Sequence, residues 1–193
     1  MANASPATLS CRSRKGELMS KGGKTRWIAT LVGVLFLVVC LAGALYLLSH
    51  QGRALPDEPL VTLEGETESL LNYRGQPLIV NLWATWCGPC VREMPLLARL
   101  DATHDEVTVL LVNHGEATET IERFMHEHQF RLQHLLRDPR GALLQHGGHR
   151  GLPVTYFYTA QGRLVATHTG ELKPDHLASL LPRIGVDFNP DLL

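Results

Sequence analysis

Leu78-Ile79-Val80-Asn81-Leu82-Trp83-Ala84-Thr85-Trp86-Cys87-Gly88-Pro89-Cys90, residues 78–90, is the stretch on which the fold turns. Its first seven residues, LIVNLWA, are a nearly continuous apolar run of the kind a strand shows when both its faces are covered. A helix is predicted to follow, from about Gly88 to His104, with Leu96, Leu97 and Leu100 at helical spacing and a kink at Pro95. The two cysteines therefore fall on the first turn of a helix that leaves a buried strand. Cys87 is placed near the helix N-cap, where unpaired backbone N–H groups and the positive end of the helix dipole favour a thiolate. Cys90 lies one turn inside, and Pro89 sits in the first turn, where its missing N–H costs little.

Working outward, LVTLEG and TESLL flank a turn at Glu64-Gly65-Glu66 and read as a hairpin, closed by Asn72-Tyr73-Arg74-Gly75. Beyond the helix, residues 107–112 (VTVLLV) form the next buried strand. Residues 117–129 form a charged amphipathic helix with Ile121, Phe124 and Met125 turned inward. A strand around 132–136, a short helix over 139–145, the strand VTYFY, a turn at Ala160-Gln161-Gly162, the strand LVATHT and a last helix over 174–184 complete the chain. Strands alternating with helices, then a hairpin and a helix, imply an α/β fold: a mixed β-sheet flanked by helices on both faces, with an N-terminal β-hairpin.

A disulfide exchanger needs one thiol that attacks as thiolate and a second close enough to resolve the mixed disulfide, and the spacing of Cys87 and Cys90 supplies both. Such a pair has two other uses. A zinc site would want further Cys or a well-spaced His pair, and the other cysteines, Cys11 and Cys40, lie in the N-terminal tail and in a long apolar run. A structural disulfide across two residues would close too small a loop to constrain the unfolded chain much. Redox catalysis is the expectation.

The chain has 193 residues, 45% of them apolar, a length for one domain with an appendage. Its 18 basic and 19 acidic residues give a formal charge of −1, which disfavours nucleic-acid binding. That balance averages two unlike parts. Residues 1–26, a basic tail expected to be cytoplasmic, hold six Lys/Arg (Arg12, Arg14, Lys15, Lys21, Lys24, Arg26) against one acid; the rest holds 12 basic and 18 acidic residues. Residues 27–48 carry no charge, and 22 residues make a helix of roughly 33 Å against a hydrocarbon core of about 30 Å. Trp27 and Tyr46 sit near its ends, and the positive tail predicts an N-terminus held in the cytoplasm with the remainder exported. The alternative is a cleaved signal peptide ending at Ala42-Gly43-Ala44, but the run continues through Leu48 and is long for one, so a signal-anchor helix is expected. Residues 49–59 read as a linker and 60–193 as the folded domain.

LIVNLWATWCGPCVREMP with GLPVTYFY far downstream resembles the thioredoxin superfamily, and specifically its membrane-anchored TlpA/ResA-like, DsbE/CcmG-related branch, over roughly residues 57–185. The resemblance implies a thioredoxin-like fold. It maps the family's cis-proline loop, which packs beside the active-site disulfide and offers backbone groups to a docking peptide, onto Gly151-Leu152-Pro153-Val154-Thr155. It implies a redox pair at Cys87 and Cys90, with Trp86, Gly88 and Pro89 around it. Where thioredoxin has a buried Asp serving proton transfer at the second cysteine, this chain has Asn81, and an amide cannot take that proton. A nearby Glu is implicated in tuning the thiols of the TlpA/ResA-like branch, so Glu93 is a candidate for proton handling or substrate contact, set against an outward, solvated placement. Trp83 and Trp86 are assigned to packing and to the rim of the site.

The implied activity is a thiol-disulfide oxidoreductase at the bacterial inner membrane, its redox domain facing the periplasm or cell exterior. It would reduce disulfides of exported proteins such as apocytochrome c or copper-delivery proteins, with electrons from a DsbD/CcdA-like membrane donor. A Cu(I)-binding or metallochaperone-like use of the same dithiol is the alternative, since soft thiolates select that ion. No cofactor or resident metal is expected. His126, His128, His134, His146 and His149 cluster in sequence but read as exposed imidazoles, and the spacing of His126 and His128 diverges on a helix.

Overall fold

A strand buried on both faces must present alternate side chains to two cores, and β3 (Leu78–Trp83) does so: all six residues are buried. Ile79 and Trp83 enter one apolar layer, while Leu78, Val80 and Leu82 enter the other. In this computed structural model residues 22–49, 53–130 and 133–187 are described. The chain divides into two units, Met1–His50 and Gln51–Leu193.

In the second unit β3 is an interior strand of a seven-stranded sheet. The other strands are β1 (Pro59–Val61), β2 (Thr67–Ser69), β4 (Thr108–His114), β5 (His134–Asp138), β6 (Val154–Tyr158) and β7 (Leu164–Thr169), in the order β2-β1-β5-β4-β3-β6-β7. β3, β4 and β5 run parallel; β6, β7 and the β1–β2 hairpin pair antiparallel to their neighbours. One face is covered by α2 (Gly88–Thr103), α3 (Thr118–His128) and α5 (Pro174–Leu180) through Met94, Leu97, Leu100, Ile121, Phe124 and Leu177. The other face is covered by α4 (Ala142–His146) through Leu143 and Leu144, by a 3-10 turn at Leu70–Tyr73 and by Leu55. This is the thioredoxin-like arrangement, a mixed sheet between helical layers.

Several boundaries differ from the sequence reading. The linker placed over 49–59 is already folded from Arg53: Leu55 is buried, its N–H donates to the Gly162 carbonyl (2.9 Å), and Leu164 N–H donates to Arg53 (2.8 Å). An apolar Leu55 has a greasy site to fill beside the β6–β7 turn, which outweighs the two prolines around it. The short helix begins at Ala142 rather than Pro139, because Gly141 adopts φ 63° and the Asp138 carboxylate accepts from Leu143 N–H (2.8 Å). The last helix breaks after Leu180 into a 3-10 turn, Leu181–Ile184, that contains Pro182. Leu132 lies outside the described residues.

In the first unit α1 (Gly22–Ser49) is a single 28-residue helix. Its side chains are described at Trp27, Ile28 and from Thr30 to Leu45, all exposed. Among the described residues no helix is long and apolar enough to cross a membrane, so the span read over 27–48 is not supported there. The side chains of Lys24, Arg26 and Tyr46, and all of residues 1–21 with Cys11, lie outside the described residues. Cys40 is a free, exposed cysteine of this helix.

Phe157 is fully buried on β6, facing the layer that holds α2 and paired in register with Ile79. Phe157→Ala should cost about 3–5 kcal/mol through lost transfer energy and a cavity. Thr167→Ala, at an exposed position of edge strand β7, should change stability by less than about 0.5 kcal/mol. Urea unfolding of the oxidised full-length chain measures both, and equal midpoints for the two variants would contradict the assignment of this core.

Candidate active site

Because β3, β4 and β5 run parallel, the loops leaving them open on one edge of the sheet, and the first of these loops enters α2. Cys87 is the N-cap of α2, in an extended conformation (φ −88°, ψ 98°), and its Sγ accepts from the Cys90 N–H at 3.3 Å. Cap geometry aims the free N–H groups of the first turn at this sulfur, the environment that favours a thiolate once the bond is reduced. Cys87 and Cys90 are joined in a disulfide, their Cα atoms 5.3 Å apart. Both are buried, whereas Trp86 beside them is 69% exposed. Gly88 is exposed and Pro89 half-buried in the first turn. Trp83 packs inside against Phe124, ring centroids 5.6 Å apart.

The Leu152–Pro153 peptide is cis, at the start of β6 beside β3. Pro153 is buried and its carbonyl accepts from Gly170 N–H (2.9 Å); half-buried Leu152 packs against both apolar layers, including the one that contains the two cysteines.

Glu93 is 1% exposed, so the solvated alternative does not hold. Three residues beyond Cys90 it lies on the same side of α2, a spacing that brings Cβ atoms within about 5–6 Å. Alternation of β3 turns Asn81 to the same layer, and its amide Nδ2 donates to Glu93 Oε1 (2.7 Å) and to Thr155 Oγ1 (3.0 Å). The Leu172 N–H donates to Glu93 Oε2. Burial pushes the Glu93 carboxyl up to about 7, against the lowering effect of the two hydrogen bonds; the Glu171 charge adds to the rise. Glu171 itself is held below its ordinary range by Arg92, with which it pairs at 2.6 Å.

Sequence reading missed Glu116 and Leu172, and it placed Thr155 in the cis-proline loop without its contact to Asn81. Glu116 accepts from the Thr85 N–H (2.7 Å), the Thr85 hydroxyl and Asn113 Nδ2 (2.7 Å), fastening the loop before Cys87 to the loop after β4. Its signal was position alone, a carboxylate just past the end of the second parallel strand. Of the clustered histidines, His126, His128 and His146 are exposed and His134 and His149 half-buried. His149 lies against Tyr156, and His104, buried at the end of α2, departs from the exposed reading. Among the described residues no group of three or more His, Cys, Asp or Glu is placed to hold a metal ion.

The raised carboxyl makes a pH prediction. Glu93 ionises near 4.5 when unfolded and near 7 when folded, so the unfolded chain gives up its proton first as pH rises. Folding stability should fall between pH 4.5 and 7 and level off above, by about 3 kcal/mol from this group. Urea unfolding of oxidised wild type and Glu93→Gln at pH 4.5 and pH 8 tests it through the difference between the two proteins. A wild-type pH dependence no different from that of Glu93→Gln would refute the assignment.

Residues 51–167 match the model of the AhpC/TSA family. The thiol-disulfide oxidoreductase ResA of Geobacillus thermodenitrificans is 32% identical over 68% of this chain and 78% of its own length. The thiol:disulfide interchange protein DsbE homolog of Paracoccus denitrificans is also 32% identical, over 69% of this chain and 74% of that one. Among solved structures, a candidate thiol:disulfide interchange protein DsbE from Chlorobium tepidum superposes with a TM-score of 0.62 at 25% identity, covering 70% of this chain and 98% of that one. A buried dithiol at a helix N-terminus, a cis-proline loop in the adjacent strand and these relatives agree: the chain belongs to the AhpC/TSA family, as a thioredoxin-like thiol-disulfide oxidoreductase of the ResA/DsbE type.

Proposed function

We propose that this oxidoreductase works as a reductant of disulfides in exported proteins, tethered to the outer face of the cytoplasmic membrane by α1. The observation that carries the reading is the N-cap position of Cys87 with its sulfur facing the first-turn N–H of Cys90, beside exposed Trp86. The Cys87 thiolate attacks one sulfur of a substrate disulfide, forming a mixed disulfide and expelling the other sulfur as a thiolate that takes a proton. Cys90 then attacks the Cys87 sulfur, releasing the second substrate thiol and leaving the Cys87–Cys90 disulfide. Two electrons pass to the substrate, and a DsbD/CcdA-like membrane donor returns two electrons and two protons.

Attack by Cys90 requires its proton to leave, and buried Asn81 has no basic atom for it. Glu93, one turn further along α2 and poised near neutrality, accepts that proton in its ionised form and gives it back when the pair is reduced again. Leu152 and Pro153 border the cysteine layer from β6 and offer backbone to a docked peptide. The tether rests on the uncharged run of residues 27–48 behind a basic tail, which is longer than the described apolar part of α1. It would confine the enzyme to partners near the membrane and raise its effective concentration for them. Apocytochrome c and copper-delivery proteins are the substrate types this placement suits.

The Gly-Pro pair between the cysteines is that of thioredoxin, whose potential is about −270 mV, against about −120 mV for the strong oxidant DsbA. Equilibration of the full-length chain with glutathione should give a value nearer the first, and the reduced protein should turn over insulin disulfides. A DsbA-like potential would exclude a reductant, and tight Cu(I) retention without insulin turnover would favour the metallochaperone alternative.

For the tether, full-length protein should fractionate with membranes, and alkaline phosphatase fused after Leu193 should be active outside the cytoplasm. Soluble exported protein shortened by about 44 residues, as cleavage after Ala44 requires, would remove the anchor.

A further inference from the structure

Beyond residue 26 the chain is acidic, yet residues 133–153 carry Arg137, Arg140 and Arg150 against a single acid, Asp138. That acid is buried, its carboxylate occupied by the Leu143 N–H. Topology brings this stretch to the edge that carries the disulfide. β3, β4 and β5 are parallel and β6 is antiparallel to β3, so three strand ends and one strand start emerge together. Cys87 follows β3, Arg140 follows β5, and Arg150 leads through Gly151-Leu152-Pro153 into β6. Neighbouring strands are about 4.8 Å apart, so β6 lies directly beside β3 on one side and β5 about 10 Å away on the other.

Arg140 and Arg150 are exposed, and among the described residues the one ion pair is Arg92–Glu171, so neither has a carboxylate partner. Glu116, just past the end of β4, is held by Thr85 and Asn113. Arg137 is half-buried and directs Nη1 at the Glu116 carbonyl oxygen (3.5 Å). Acids lie on the region's outer sides: Asp57 and Glu58 precede β1, the strand beyond β5, and Glu171, paired with Arg92 of α2, follows β7. Between the two arginines stands the β3 end with Cys87 and exposed Trp86.

We propose that this edge is a docking surface for an acidic segment adjoining the substrate's disulfide, its Asp and Glu side chains meeting Arg140 and Arg150 on the two sides of the Cys87 loop. The proposal rests on the reductase reading and narrows its substrate class. Exposed pairs of this kind add little affinity each, but unpaired like charges around a reacting centre steer encounter and set which partner is used.

Three synthetic peptides sharing one cyclic disulfide, flanked by Asp/Glu, by Lys/Arg or by Ser/Gly, separate the two claims. Single-turnover reduction by the reduced full-length chain, in uncharged detergent, is followed at low and high salt. The acidic peptide should react about tenfold faster than the basic one at low salt, the ratio falling toward one at about 1 M salt, where screening leaves a Debye length of about 3 Å. Arg140→Glu with Arg150→Glu should invert the ratio. Arg140→Gln with Arg150→Gln should abolish it, and each variant's thermal midpoint establishes that it is folded. Equal wild-type rates with the acidic and basic peptides, or a preference unchanged in a folded double variant, overturns the docking surface while leaving the reductase. Failure to reduce even the Ser/Gly peptide overturns the reductase reading and the surface with it.

Discussion

A carboxylic acid buried in an apolar layer is the constraint around which this domain is arranged. Placing Glu93 between α2 and the sheet is costly unless its oxygens are partnered or its charge removed, and the structure uses both means. Asn81 from β3 and the Leu172 N–H from the segment after β7 each donate to one oxygen, while burial leaves the group half-protonated near neutrality. Glu93 and its two partners come from the helix bearing the cysteines, from β3 and from the C-terminal segment, so one polar cluster sets how α2 lies on the sheet. An apolar residue at position 93 would pack more readily, but it could hold no proton beside Cys90.

The same economy appears at the edge of the sheet. Glu116 ties the Thr85 turn to the end of β4, and Pro153 leads into β6, the neighbour of β3. Each loop around the disulfide thus begins or ends on a strand buried in the two layers, which fixes the position of Cys87. Parallel pairing of β3, β4 and β5 gathers these ends on one side, as open α/β sheets do for their sites.

What could be read in advance was whatever a local pattern controls. The apolar run over 78–84, the dithiol spacing and the period of residues 117–129 each name an element because the side chains that decide it are neighbours in sequence. Asn81 was singled out through the thioredoxin resemblance, but its partners Glu93 and Thr155 lie 12 and 74 positions away, and only pairing of β3 with β6 brings Thr155 across. Glu93 was left between two orientations because a single acid in a helix carries no sign of its face until the sheet beneath it is known. Leu172 was invisible, since its contribution is a backbone N–H. Leu55 was read as linker for the complementary reason: a lone apolar residue among prolines has no period, and its site exists only once the β6–β7 turn has formed.

The central claim is that the dithiol and a protonatable Glu93 form one buried unit. Carbon-13 NMR of the Glu93 side-chain carboxyl in the oxidised full-length protein, titrated from pH 3 to pH 9, addresses it most directly. The account predicts a midpoint near 7, displaced when the Cys87–Cys90 bond is reduced. A midpoint near 4.5 in both redox states would show an ordinary, solvated carboxylate and contradict it.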